Sequence, residues 1–202
     1  MVVTEMEVYA VSGADGKKRH RPWRKCSDFS DEYIKLLTEE LAPLRPPNGS
    51  DVTNFCLLLI GPISGGKSSF INAVLSAFAG KVIQKVAVGE SEQGVTKRLV
   101  VILTKIDKLH KDIADDLADV FKHQVVNAAV EKVSEMLGIP PNNVFPVKNY
   151  HSEVETEVAV HAFALMALRK LICMASDVLE ERTNDSDDRT AGSGEVKESD
   201  TA

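Results

Sequence analysis

One stretch, Phe55 to Phe70, reading FCLLLIGPISGGKSSF, limits the architecture more than any other. An apolar run from Phe55 to Ile60 ends in Gly61, and Gly66, Lys67 and Ser68 then complete the pattern G-x-x-x-x-G-K-[ST]. The run is short, apolar and followed by Gly-Pro, which reads as a buried strand rather than a helix. From Lys67 the period changes. Phe70, Ile71, Val74, Leu75 and Phe78 recur at spacings of three and four, and Gly80 closes the segment, so a helix is expected from Lys67 to Phe78. A glycine-rich loop between strand and helix is the setting in which this motif binds phosphate.

The residue types follow from the chemistry. A polyphosphate carries several negative charges, so the loop must turn backbone N–H groups towards it. Gly61, Ser64, Gly65 and Gly66 form that concavity, the glycines allowing close approach and positive φ. The positive end of the following helix adds to the field. Lys67 is expected to reach the β- and γ-phosphates and Ser68 to ligate Mg²⁺, with Ser69 one position deeper in the first turn.

A second apolar run, Leu99 to Leu103, ends in Thr104-Lys105-Ile106-Asp107. Continuous apolar character fits a parallel strand buried on both faces. The tetrapeptide TKID fits the [NT]-K-x-D pattern that selects guanine. A carboxylate only accepts, so Asp107 can take both donors on the guanine edge, N1–H and the 2-amino group. Adenine has no such pair and would leave the carboxylate unmatched. Lys105 would lie along the base. A short third strand, Val144 to Val147, leads into Lys148-Asn149 at its C-terminal end, the ligand side of an open α/β sheet, so these two residues are assigned to the base pocket with Thr104. Between the helix and the second run, Lys81 to Val88 reads as a strand. Gly94-Val95-Thr96 then reads as a switch-like segment whose Thr96 is a second candidate Mg²⁺ ligand.

The remainder is expected to be one domain with tails. Residues 1–30 hold a basic cluster, Lys17 to Lys25, read as a flexible leader, with the single Trp23 docking it. Asp31 to Leu44 is an amphipathic helix capped by Ser30. Ile113 to Leu137 has one long helical pattern stopped by Gly138 and Pro140-Pro141, and Glu153 to Glu181 forms the last helix. Residues 31–182 make the nucleotide-binding domain. Residues 183–202, with six acids against two bases, read as a disordered tail that supplies −4 of the net charge of −6. That net charge argues against nucleic-acid binding. Cys26, Cys56 and Cys173 are scattered, which suits a reduced, intracellular chain. No signal peptide is evident. The longest apolar stretch, Val158 to Leu168, is too short to span a bilayer. A soluble cytoplasmic protein is expected.

With the phosphate loop, TKID and the stretch LGIPPNNVFPVKNYHSE (Leu137 to Glu153) in view, the chain resembles the interferon-induced protein 44 family, which includes the 44-like proteins. The resemblance runs from about Arg21 to Glu181, through Pro22-Trp23-Arg24, LLLIGPISGGKSSFINAV, GVTKR, VVILTKIDKL and VFPVKNYHSE. It implies a P-loop NTPase-like α/β fold, a mostly parallel sheet flanked by helices. It also implies GTP or GDP with Mg²⁺ as ligand, and a cytoplasmic role in interferon-linked antiviral responses. Glu7 to Val11 resembles the last strand of a preceding TLDc domain.

One departure is large. Only Lys97 and Arg98 separate Thr96 from the second apolar run. A complete domain of this class places two strands, a D-x-x-G metal loop, a helix and another strand there, on the order of 40 residues. The chain therefore resembles a member with an internal segment missing and few strands. The phosphate-loop strand and the TKID strand are then expected to pair directly or leave edges exposed. Without a D-x-x-G carboxylate, hydrolysis should suffer before nucleotide affinity. Three functions follow from the sequence. The first is a guanine-nucleotide-binding protein. The second is a nucleotide-independent interaction protein working through protein partners or self-association. The third is an ATP-using P-loop phosphotransferase, which lacks an evident acceptor site.

Overall fold

The computed structural model describes residues 2–4, 18–25, 29–50, 52–55, 59–83 and 100–191, with 2–4 and 183–191 described as backbone. It is an α/β structure built on a small parallel sheet of three strands, β1 (Val2–Thr4), β2 (Val101–Leu103) and β3 (Val144–Pro146), in that spatial order. Val101 lies beside Val2 and Val144, and Leu103 beside Thr4 and Pro146. All three residues of β2 are buried, as a continuous apolar run predicts for a central strand.

The neighbour of β2 corrects the sequence reading. Direct pairing with the phosphate-loop run is not found among the described residues; β1 occupies that side. Val2-Val3-Thr4 is wholly β-branched, which suits a strand, and its pairing satisfies the edge of β2 that the short chain would otherwise expose. Cys56–Leu58 lie outside the described residues, as do Glu7 to Val11 and Thr96. So does all but the first part of the strand expected from Lys81 to Val88, and Lys81–Ile83 are not in a strand.

Helix α1 (Asp31–Leu41) starts at Ser30, whose side chain accepts from the Tyr33 N–H at 3.1 Å, with Asp31 and Glu32 in the positive first turn. Helix α2 (Lys67–Ala79) runs from Gly66 to Gly80, both with left-handed backbone. The single helix expected from Ile113 to Leu137 is instead three pieces. A short helix α3 (Lys111–Asp115) is followed by a 3-10 segment, Leu117–Lys122, and by α4 (Gln124–Leu137). The chain leaves helical geometry at Asp116 and His123. This frees backbone groups that the N-terminal segment uses. Arg19 and Trp23 donate their N–H groups to the Lys122 and Phe121 carbonyls, both at 2.9 Å.

Residues 18–25 are therefore a docked strap, not the flexible leader expected. Trp23 meets Phe121 edge to face at 5.3 Å, and the Arg24 guanidinium stacks on Trp23, Phe121 and Phe145. Arg24 also donates to the Pro141 and Val144 carbonyls, at 2.7 and 2.8 Å, so a charged side chain covers the free edge of β3.

The last helix, α5 (Val158–Ala191), starts later and ends later than its expected span of Glu153 to Glu181. It starts late because the Tyr150 hydroxyl accepts from the Glu157 N–H at 2.8 Å and holds the preceding residues in a loop. It continues into the segment assigned to a disordered tail because no glycine or proline interrupts it before Gly192. Residues 192–202 lie outside the described residues. By length and composition its 158–182 portion can cross a bilayer, which corrects the expectation drawn from Val158 to Leu168. In this fold 61% of its apolar window is buried, against α1, α2 and β3, so the domain core itself explains that apolarity. The main core joins β2, β3, α4 and α5, and a satellite cluster of Leu37, Leu41, Ala77, Leu165 and Leu168 ties α1 and α2 to α5.

Candidate functional site

The glycine-rich loop turns tightly ahead of α2. Ser64 and Gly66 take left-handed φ of 63° and 84°. Gly65 turns back on Pro62 through an N–H to carbonyl bond of 3.1 Å, and a Cβ there would lie 3.0 Å from the Pro62 oxygen. Lys67 folds over the loop and donates from Nζ to the Gly61 and Pro62 carbonyls, both at 2.9 Å. Those carbonyls mark where the ammonium rests; an anion in the loop would offer it stronger acceptors. The first N–H groups of α2 have no intrahelical partner, so the helix start offers donors to an anion. Ser68 and Ser69 follow in the first turn, both half-buried.

Residues far apart in sequence converge on this loop. The buried Thr104 donates from Oγ1 to the Gly65 carbonyl at 3.0 Å, across 39 positions. Asn149 donates from Nδ2 to the Gly66 carbonyl at 3.2 Å, across 83 positions. A Cβ on Gly66 would come within 3.0 Å of Asn149 Nδ2 and 3.2 Å of the Thr104 side chain, so only glycine fits there. The segments after β2 and β3 are thus seated against the glycine-rich loop. Lys105 follows with a left-handed φ of 60°, and Asp107 sits half-buried in the 3-10 turn Ile106–Lys108. The described residues contain no group of three His, Cys, Asp or Glu placed to hold a metal. Mg²⁺ would therefore rely on Ser68 and phosphate oxygens, which suits an ion that keeps several waters. Thr96 lies outside the described residues.

Lys148, assigned to the base pocket from sequence, points elsewhere. Its side chain is only 14% exposed, and its ammonium meets Glu157 at 2.7 Å and Glu153 at 3.1 Å. Desolvation opposes its charge, and the two carboxylates outweigh it, so its pKa is raised. The network around it was not assigned from sequence, although it begins in the distinctive stretch Leu137 to Glu153 and runs on to Glu157. Glu153 accepts from the His151 and Ser152 N–H groups, at 2.7 and 3.0 Å, closing a tight loop. Glutamates five and nine positions after Lys148, around a tyrosine, are the signal that points to it.

This network makes stability depend on acid. Burial raises the Glu153 pKa, but backbone N–H donors and Lys148 outweigh it and hold the carboxyl at about 2 rather than 4.5. A depressed carboxylate contributes stability above its unfolded pKa and loses it as pH falls through the folded value. Glu153→Gln is therefore expected to lower the melting temperature most above about pH 5. The gap should narrow as pH falls from 4.5 towards 2. Parallel thermal melts across that range check this; a constant gap would show that Glu153 acts by packing alone.

No protein-family model matches the chain, and no solved structure matches it. Over 81 residues it is 40% identical to interferon-induced protein 44 of Homo sapiens, covering 37% of this chain and 18% of that protein. The Mus musculus protein of the same name is 42% identical over 81 residues, 37% of this chain and 19% of its own length. Interferon-induced protein 44-like of Homo sapiens is 33% identical over 82 residues, 41% of this chain and 18% of its own length. The chain thus spans about a fifth of the length of the curated relatives it matches.

Proposed function

We propose that this chain, related to interferon-induced protein 44 over about two fifths of its length, is a cytoplasmic guanine-nucleotide-binding protein of the interferon response. The observation that carries this reading is the convergence of Thr104 and Asn149 on the carbonyls of Gly65 and Gly66, beneath Lys67. Two segments separated in sequence are held at one phosphate loop, as a nucleotide site requires. In this reading Gly61, Ser64, Gly65, Gly66 and Lys67 hold the phosphates and Ser68 holds Mg²⁺. Asp107 reads the guanine edge beside Lys105. Lys148 braces the loop that carries Asn149. The sequence has no D-x-x-G after the phosphate loop, so binding without efficient hydrolysis is the expected activity.

A fluorescent GDP analogue with Mg²⁺ tests the reading. It should bind the full chain and be displaced by unlabelled GTP but not by ATP. Asp107→Ala should erase that preference, because the two guanine donors lose their acceptor. ATP displacing the probe as well as GTP does from the unmutated protein would sink the guanine assignment.

A further inference from the structure

We infer that Asn149 is a positioning residue for the phosphate loop and not a reader of the base; the inference rests on the nucleotide-binding reading above. A trans peptide is planar, with its C=O and N–H pointing in opposite directions. The Gly66 carbonyl and the Lys67 N–H belong to one such plane. Asn149 Nδ2 donates to that carbonyl at 3.2 Å, and the Phe70 N–H donates to it at 2.8 Å. Two donors from different elements fix the oxygen, and so fix the Lys67 N–H on the opposite side of the plane, where the nucleotide-binding reading puts the phosphate. A mobile peptide plane would have to reorient on each binding event; this one is set beforehand, which is how an anion site gains affinity without a new contact.

Two further facts support the assignment. The Asn149 Oδ1 is buried and has no partner among the described residues. A buried unpaired acceptor is unfavourable, so packing alone does not explain an amide there; its donor does. The side chain is also held in place. Lys148 is fixed by Glu153 and Glu157, and Tyr150 by Glu157, so Asn149 projects from a loop anchored on both sides. One N–H of its amide is committed to the loop carbonyl, which ties the side chain to the loop and leaves Asp107 as the carboxylate suited to the guanine edge.

Positioning and base reading separate cleanly with a ligand that has no base. Inorganic pyrophosphate with Mg²⁺ and GDP with Mg²⁺ are titrated against the full chain, Asn149→Ala and Asn149→Asp. The alanine variant should weaken both ligands by the same factor, about three- to tenfold, the worth of one hydrogen bond. Aspartate, whose carboxylate cannot donate to the Gly66 carbonyl, should weaken both further. In the ligand-free protein, hydrogen exchange at the Phe70 amide, which donates to the same Gly66 carbonyl at the start of the helix, should speed up in both variants while the β2 and β3 amides keep their protection. Loss of GDP affinity with pyrophosphate unchanged would overturn the inference and make Asn149 a base contact, leaving the nucleotide reading intact. If the unmutated chain binds neither ligand, the nucleotide reading fails, and unchanged exchange at the Phe70 amide then overturns the inference separately. Loss of fold in both variants, judged by circular dichroism, would overturn it too, since Asn149 would then be a structural support.

Discussion

Replacing Lys67 with alanine is expected to weaken GDP and GTP binding by about a hundredfold or more while leaving the fold intact. The ammonium is half-buried at the mouth of the loop and already lies over it, bonded at 2.9 Å to the Gly61 and Pro62 carbonyls. Phosphate oxygens are charged acceptors and replace those neutral carbonyls with stronger partners. Hydrogen bonds to charged groups are worth about 1.5–3 kcal/mol each, and tenfold in affinity is about 1.4 kcal/mol, so two such bonds account for the loss. Stability should fall far less, by about 1 kcal/mol, because the two carbonyls lie near solvent and water can replace the ammonium. Isothermal titration with GDP and Mg²⁺, beside a thermal melt, measures both quantities. Affinity unchanged in the alanine variant would mean that phosphate is not bound by this loop at all.

The parts of the fold that local chemistry decides were legible in the sequence. Ser30 caps α1, Gly66 and Gly80 bound α2, and Gly138 ends α4, because caps and left-handed glycines depend on residues within a turn of them. The apolar run at Val101–Leu103 announced a central strand, and the short run at Val144–Pro146 a strand beside it, for the same reason. What the sequence hid was set by distant partners. The helical periodicity from Ile113 to Leu137 is real, yet the helix breaks at Asp116 and His123, where the strap of residues 18–25 takes the freed carbonyls. No property of the Ile113–Leu137 segment alone encodes that strap. The same holds for β1, which fills a place beside β2 from the far end of the chain.

The site divides along the same line. Lys67 and the glycines are recognisable because their spacing along the chain is the geometry. Thr104 and Asn149 were assigned to a base pocket from their place after strands, and the fold brings both against the carbonyls of the glycine-rich loop. Their partners were not legible, since which donor meets which carbonyl depends on how the two segments seat. Lys148 illustrates the difference. A lysine beside a ligand loop reads as a ligand contact, and only the fold reveals the two glutamates that engage it.

The largest loss of stability is expected at Phe163, where α5 meets the strap. Phe163 is 2% exposed and packs edge to face on Phe29 at 5.1 Å and on Phe121 at 6.2 Å. Phe121 in turn carries Trp23, so one ring supports contacts from three separate segments. Phe163→Ala removes the ring's burial and leaves a cavity that rigid aromatic neighbours fill poorly, a loss of about 3–5 kcal/mol. That is a large share of the 5–15 kcal/mol typical of a whole domain. The strap should loosen before the domain unfolds. Trp23, the only tryptophan, then reports it directly through a red shift of its emission at denaturant concentrations where circular dichroism is still native. Val154, 90% exposed, provides the contrast: Val154→Ala should change neither signal. A loss below about 1 kcal/mol for Phe163→Ala would mean that the four rings are not packed as described and that the strap is held by Arg24 and its carbonyl bonds instead.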